Sequence, residues 1–108
     1  EPPSIISSQT LSYTGIEGGS WFHTVDLYNS GGIAIQTNWA LSLLTPSSGV
    51  VLATIIPLNT CVTASFSGII TLIGQPFTTQ VTYCRSGNAV TISHTATGTP
   101  QVHGTVYL

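Results

Sequence analysis

From Trp21 to Tyr28, and again from Phe77 to Cys84, every second residue belongs to the same face of an extended chain. Phe22, Thr24, Asp26 and Tyr28 fall on one side of the first stretch, and Trp21, His23, Val25 and Leu27 on the other. In the second, Phe77, Thr79, Val81 and Tyr83 share a side. A period of two is the signature of a strand, because successive side chains of an extended backbone point to opposite faces. Composition agrees. Val, Ile and Thr together supply 36 of the 108 residues, and β-branched side chains favour strands over helices. No window carries a sustained helical stripe, and Met is absent.

Turn residues punctuate the chain at short intervals. Asn29-Ser30-Gly31-Gly32 separates Trp21–Tyr28 from a run over Ile33–Leu44, in which Ile33, Ile35, Trp39, Leu41 and Leu43 share a register. Thr45-Pro46-Ser47-Ser48-Gly49 predicts a turn before Val50–Ile56. Ser67-Gly68 predicts a tight hairpin between Cys61–Phe66 and Ile69–Ile73, and Gly74-Gln75-Pro76 a further break. Arg85-Ser86-Gly87-Asn88 leads into Ala89–Thr95, and Gly98-Thr99-Pro100 into Gln101–Leu108. The expectation is an all-β domain, an antiparallel β-sandwich of about eight to ten short strands. Residues 1–10 show no clear alternation and read as an arm or the end of a stalk, with one domain over 11–108. The Glu-Pro-Pro start predicts that a longer chain precedes it.

Charge is nearly missing. Glu1, Glu17, Asp26 and Arg85 are the only charged side chains, 4% of the chain, against about 25% in an ordinary soluble domain. One Arg and no Lys argue against binding a phosphate backbone, so no nucleic-acid partner is expected. No apolar run approaches the roughly 18 residues of a spanning helix, so no membrane insertion is expected. Hydroxyls take the place of charge, with 13 Ser and 17 Thr. Such a surface is wet but electrically quiet, and offers little repulsion between copies. Cys61 and Cys84 are expected to be reduced and buried as small hydrophobes, with a disulfide as the alternative in an oxidising compartment.

Catalytic patterns are lacking. His23, His94 and His103 show no HxH or HxxxH spacing and read as scattered residues, so no metal is expected. Glu17 and Asp26 are the only internal carboxylates, there is no GxSxG, and Gly15–Gly19 reads as a flexible turn without a phosphate-loop lysine. No cofactor and no enzymatic activity are expected. No Asn begins an Asn-X-Ser/Thr glycosylation signal.

The segment Leu41-Ser42-Leu43-Leu44-Thr45-Pro46-Ser47-Ser48-Gly49-Val50-Val51-Leu52-Ala53-Thr54-Ile55-Ile56, with Trp39 just before it, resembles the strand-turn-strand of adenovirus fibre heads. The ending Val102–Leu108 is similar to a strand that closes such a head. The Leu-Trp-Thr that opens many fibre heads is absent, and the short chain suits a compact, atadenovirus-like head. The resemblance implies a three-fold homotrimer carried on a fibre stalk at the virion surface, made and assembled inside the host cell, that attaches the virion to a host-cell receptor of protein or glycan. It also implies reduced cysteines.

The residues expected to contact a receptor are Trp21 by stacking, His23 and Asn88 by hydrogen bonding, and Arg85 by charge. Trp39 and Tyr83 are expected in the core. The alternatives are a bacteriophage tail-fibre tip and a secreted carbohydrate-binding module or adhesin. The last predicts a monomer with a Cys61–Cys84 disulfide and an exposed aromatic platform.

Overall fold

The computed structural model describes residues 2–14, 20–40, 44–46, 54–70, 74–95 and 100–108. Nine strands, and no helix, make up the regular structure of these residues: β1 (Ile5–Thr14), β2 (Ser20–Tyr28), β3 (Ile33–Ala40), β4 (Leu44–Pro46), β5 (Thr54–Ile56), β6 (Cys61–Ile70), β7 (Gln75–Ser86), β8 (Ala89–Thr95) and β9 (Pro100–Tyr107). They form two antiparallel sheets, in the orders β1-β2-β3-β5 and β4-β6-β7-β8-β9. The fold is the antiparallel β-sandwich that the alternation predicts.

The core lies between the sheets and follows the period of two. Trp21, Val25, Leu27, Ile33, Ile35, Trp39 and Ile56 enter it from the first sheet, and Phe66, Val81, Tyr83, Val90, Ile92 and Val106 from the second. The β2–β3 register sets Trp21 opposite Trp39 and Val25 opposite Ile35, so cross-strand neighbours share the buried face. Trp39 and Tyr83 are core residues, as the sequence leads one to expect.

Several boundaries differ from the expectation. Ser67-Gly68 is not a hairpin: β6 runs through it and pairs with β7 from Cys61↔Cys84 to Ile70↔Gln75. Polar and small residues suffice there because Ser65, Gln80 and Thr78 are all exposed. Thr45-Pro46 belongs to β4, the edge strand of its sheet, where a proline is tolerated because no ladder hydrogen bond is required of it. Residues 5–10 of the expected arm lie in β1 and pair with β2; they lack visible alternation because β1 is an edge strand with no fully buried residue. The turns over 15–19 and 47–49, and Leu41 and Leu43, lie outside the described residues, as does most of the Leu41–Ile56 segment.

The cysteines are also different from the expected reduced, buried pair. Cys61 and Cys84 face each other in the β6–β7 ladder and are joined by a disulfide. Cys61 is exposed. Both occupy the outward positions of their strands, where the ladder brings their β-carbons together away from the core.

Candidate functional site

Of the four expected receptor contacts, the structure buries three. Trp21 is 1% exposed and stacks on Trp39 with ring centroids 4.7 Å apart. Its place in the alternation decides this: it shares a face with Val25 and Leu27. His23, on the same face, is 0% exposed. Arg85 is also buried, because its guanidinium is used internally. Nε donates to Gly87 O at 2.8 Å, Nη1 to Ile56 O at 3.0 Å and Nη2 to Gly31 O at 2.6 Å. The one described cation therefore ties the β2–β3 turn, the end of β5 and the β7–β8 turn together, with carbonyl oxygens absorbing its charge. Asn88 alone is exposed, in the two-residue turn between β7 and β8 whose Gly87 carbonyl accepts from the buried Arg85.

What the sequence choice missed is the neighbour of Trp21. Phe22 is 46% exposed on the outer face of the first sheet. The ladder sets Ser12 and Asn38 on either side of it, then Thr10, Thr24 and Gln36 in the next outward row, then Ser8, Asp26 and Ala34. The Ser8 hydroxyl donates to Asp26 Oδ1 at 2.6 Å, which ties the carboxylate to the neighbouring strand on the outer face. Tyr28, the next outward residue of β2, borders a cleft of about 440 Å³ that Pro3, Ser30 and Gly32 complete. The alternation puts Phe22, Thr24, Asp26 and Tyr28 on one face; the glycine-rich stretch before Trp21 points to exposure of the opposite face, and the second sheet covers that face instead.

This face presents an aromatic ring among amides and hydroxyls, with one carboxylate and no cation among its described side chains. Its strands are extended and mutually hydrogen-bonded, so the positions of Phe22, Asn38 and Gln36 are set by the ladder rather than by a loop. The chemistry on offer is stacking plus neutral hydrogen bonding.

A second constellation lies inside the sandwich. The three histidines, scattered in sequence, belong to one chain of polar contacts that crosses both sheets. The Tyr13 hydroxyl lies 2.7 Å from His23 Nε2 and 3.1 Å from His94 Nδ1. His94 Nδ1 lies 3.0 Å from His103 Nε2. On the other side, His23 Nδ1 meets Thr37 Oγ1 at 2.9 Å, and Thr37 meets the Tyr83 hydroxyl. The Tyr13 ring stacks flat on His103, with centroids 3.8 Å apart.

Burial governs the protonation of this cluster. Loss of hydration, then the fields of His94 and His103, lowers His23 to about 3. Burial, then His103, lowers His94 to about 4. Burial lowers His103 as well. The Tyr83 phenol is pushed up to about 12 by burial, partly offset by its bond to Thr37, and burial raises Tyr13. At neutral pH every member is uncharged. No group of His, Cys, Asp or Glu among the described residues is arranged to hold a metal ion.

No protein-family model, no curated protein and no solved structure matches this chain.

Proposed function

We propose that the chain is an attachment domain that works by binding rather than catalysis, and that its ligand is a neutral, hydroxyl-rich surface group, a cell-surface glycan. The observation that carries this reading is Phe22, exposed at 46% on a rigid sheet face between Asn38 and Ser12. An aromatic ring removes the apolar C–H face of a sugar from water, while flanking amides and hydroxyls pair with its hydroxyls and fix its orientation. A face of mostly neutral groups, with Asp26 as the one described charge, suits an uncharged ligand, because the hydroxyls and amides around Phe22 are desolvated at lower cost than ions. The test is a panel of immobilised glycans probed with the wild-type chain and with Phe22→Ala and Asn38→Ala. Binding that both substitutions reduce at least tenfold supports the reading. Binding to no glycan, or binding indifferent to Phe22, overturns it.

The fibre-head form of this function is supported by the Leu41–Ile56 resemblance and by the shortage of charge. Apolar Ile5, Ile6, Val102 and Tyr107 are exposed on the edge strands β1 and β9, and a homotrimer would cover such surface. Three copies of a weak site on one head gain avidity against a host-cell receptor. One observation favours the second form, a secreted single-copy module: the Cys61–Cys84 disulfide, a bond of oxidising compartments. Solution mass separates the two. Three times the 11.3 kDa chain supports the trimeric viral head, and the mass of one chain supports the secreted module.

A further inference from the structure

The two edge strands on one side of the sandwich are thinly anchored. β1 contributes no fully buried side chain, and β9 contributes only Val106. They meet each other where Leu11 approaches Gly104; a β-carbon at Gly104 would lie 3.1 Å from Leu11 Cδ1. Tyr13 of β1 and His103 of β9 supply the polar part of the anchorage, and both bond to His94, a 1% exposed residue of β8. Tyr13 also bonds to His23 of β2. The cluster therefore joins the edge strand of one sheet to the edge strand of the other through the buried His94, with His23 tying Tyr13 to β2.

We infer that Tyr13, His23, His94 and His103 form an acid-sensitive latch, which holds β1 and β9 on the sandwich and releases them when its histidines take up protons. The surroundings leave the protonated forms uncompensated. His23 is faced by Tyr13 from β1, Trp21 from β2, Thr37 from β3, Tyr83 from β7 and His94 from β8, and also feels the field of His103 from β9. His94 is faced by Tyr13, Trp21 and His103. Every titratable group in these contacts is another histidine or a phenol. Of the two charged side chains among the described residues, Asp26 is on the outer face with Ser8. Arg85, the next inward position of β7 after Tyr83, is engaged by three carbonyls. Glu1 and Glu17 lie outside the described residues. A proton on one imidazole thus meets no anion, a second repels the first, and Tyr13 between them has a single hydroxyl to share.

The direction with pH follows. Unfolded histidines hold a proton below about pH 6.5, whereas the folded His23 and His94 do so only near 3 and 4. Below about pH 6.5 the unfolded or opened state binds more protons, so stability falls as pH falls, down to the folded values; above that pH the penalty vanishes.

The experiment uses the intact, oxidised chain. Denaturant unfolding between about pH 8 and pH 4.5 reads the proton linkage. The expected folding constant is flat above pH 7 and falls by about two to three decades per pH unit near pH 5, one for each histidine kept neutral. A fall of less than one decade per unit overturns the latch. Hydrogen exchange, corrected for its intrinsic pH dependence, reads where opening starts. Ile5–Thr14 and Pro100–Tyr107 are expected to lose protection at pH 5 while β3 and β7 keep theirs. Simultaneous loss in all strands, or full retention in β1 and β9, overturns it. His103→Gln, at the half-buried end of the cluster, is expected to flatten the pH slope by up to about one decade per unit. If that variant does not fold, the wild-type exchange pattern decides.

Discussion

Trp21 and Phe22 are adjacent in the chain and face opposite worlds: Trp21 is 1% exposed and stacked on Trp39, whereas Phe22 is 46% exposed on the far side of the same strand. Trp21→Ala should destabilise the fold by about 3–5 kcal/mol, through lost burial and the cavity left beside Trp39 and Phe66. Phe22→Ala should change stability by about 0.5 kcal/mol or less, as surface changes do. Equilibrium unfolding of both variants checks this. Equal effects would mean that β2 is paired in the other register, since a one-residue slip exchanges its faces.

The charge of Arg85 is held by backbone carbonyls. Its fork reaches three carbonyls in three segments, which a lysine, with one compact ammonium, does not reproduce. Arg85→Ala should cost about 3 kcal/mol or more, because three buried or half-buried carbonyls lose a charged donor. Arg85→Lys should recover only part of that. Denaturant midpoints of the two variants measure the difference, and wild-type midpoints would show that these contacts contribute nothing.

The Cys61–Cys84 bond closes a loop with a sequence separation of 23. By the chain-entropy relation, a loop of that length is worth about 3 kcal/mol. The double change Cys61→Ser with Cys84→Ser should lower stability by about that amount while the sheets still form, since the bond sits on the outer face. Thiol titration of the denatured wild-type protein should find no free thiol before reduction and two after it.

The β7–β8 hairpin turns on Gly87, whose φ is +59°, while Ser86 pairs with Ala89 across the two-residue loop. A positive φ at the first loop residue is the hairpin arrangement that glycine adopts without steric cost. The Gly87 N–H also donates to Asn59 Oδ1, and its carbonyl accepts from Arg85. Gly87→Ala should therefore destabilise by about 1 kcal/mol or more, whereas Asn88→Ala, which leaves that φ untouched, should cost less. Thermal unfolding of the two single variants compares them directly.

Local chemistry was enough to read the strands. The period of two in Trp21–Tyr28 and Phe77–Cys84, the β-branched residues and the Gly and Asn turns announce an antiparallel sandwich, because each is a property of a few consecutive residues. Ala89–Thr95 is read to the residue for the same reason. Ser67-Gly68 misled because a turn signal is only a local preference, and the ten-residue β6–β7 ladder overrides it. The candidate site was half legible. Which residues share a face follows from the alternation, but which face is wet depends on where the second sheet lies. That decision made Phe22 a surface residue and Trp21 a core one. It gave Arg85 three carbonyls from distant turns, placed Cys61 against Cys84, and gathered Tyr13, His23, His94 and His103 from four strands. Contacts across 81 residues, such as Tyr13 with His94, have no local period to betray them; only the packing of one sheet on the other brings them within hydrogen-bonding distance.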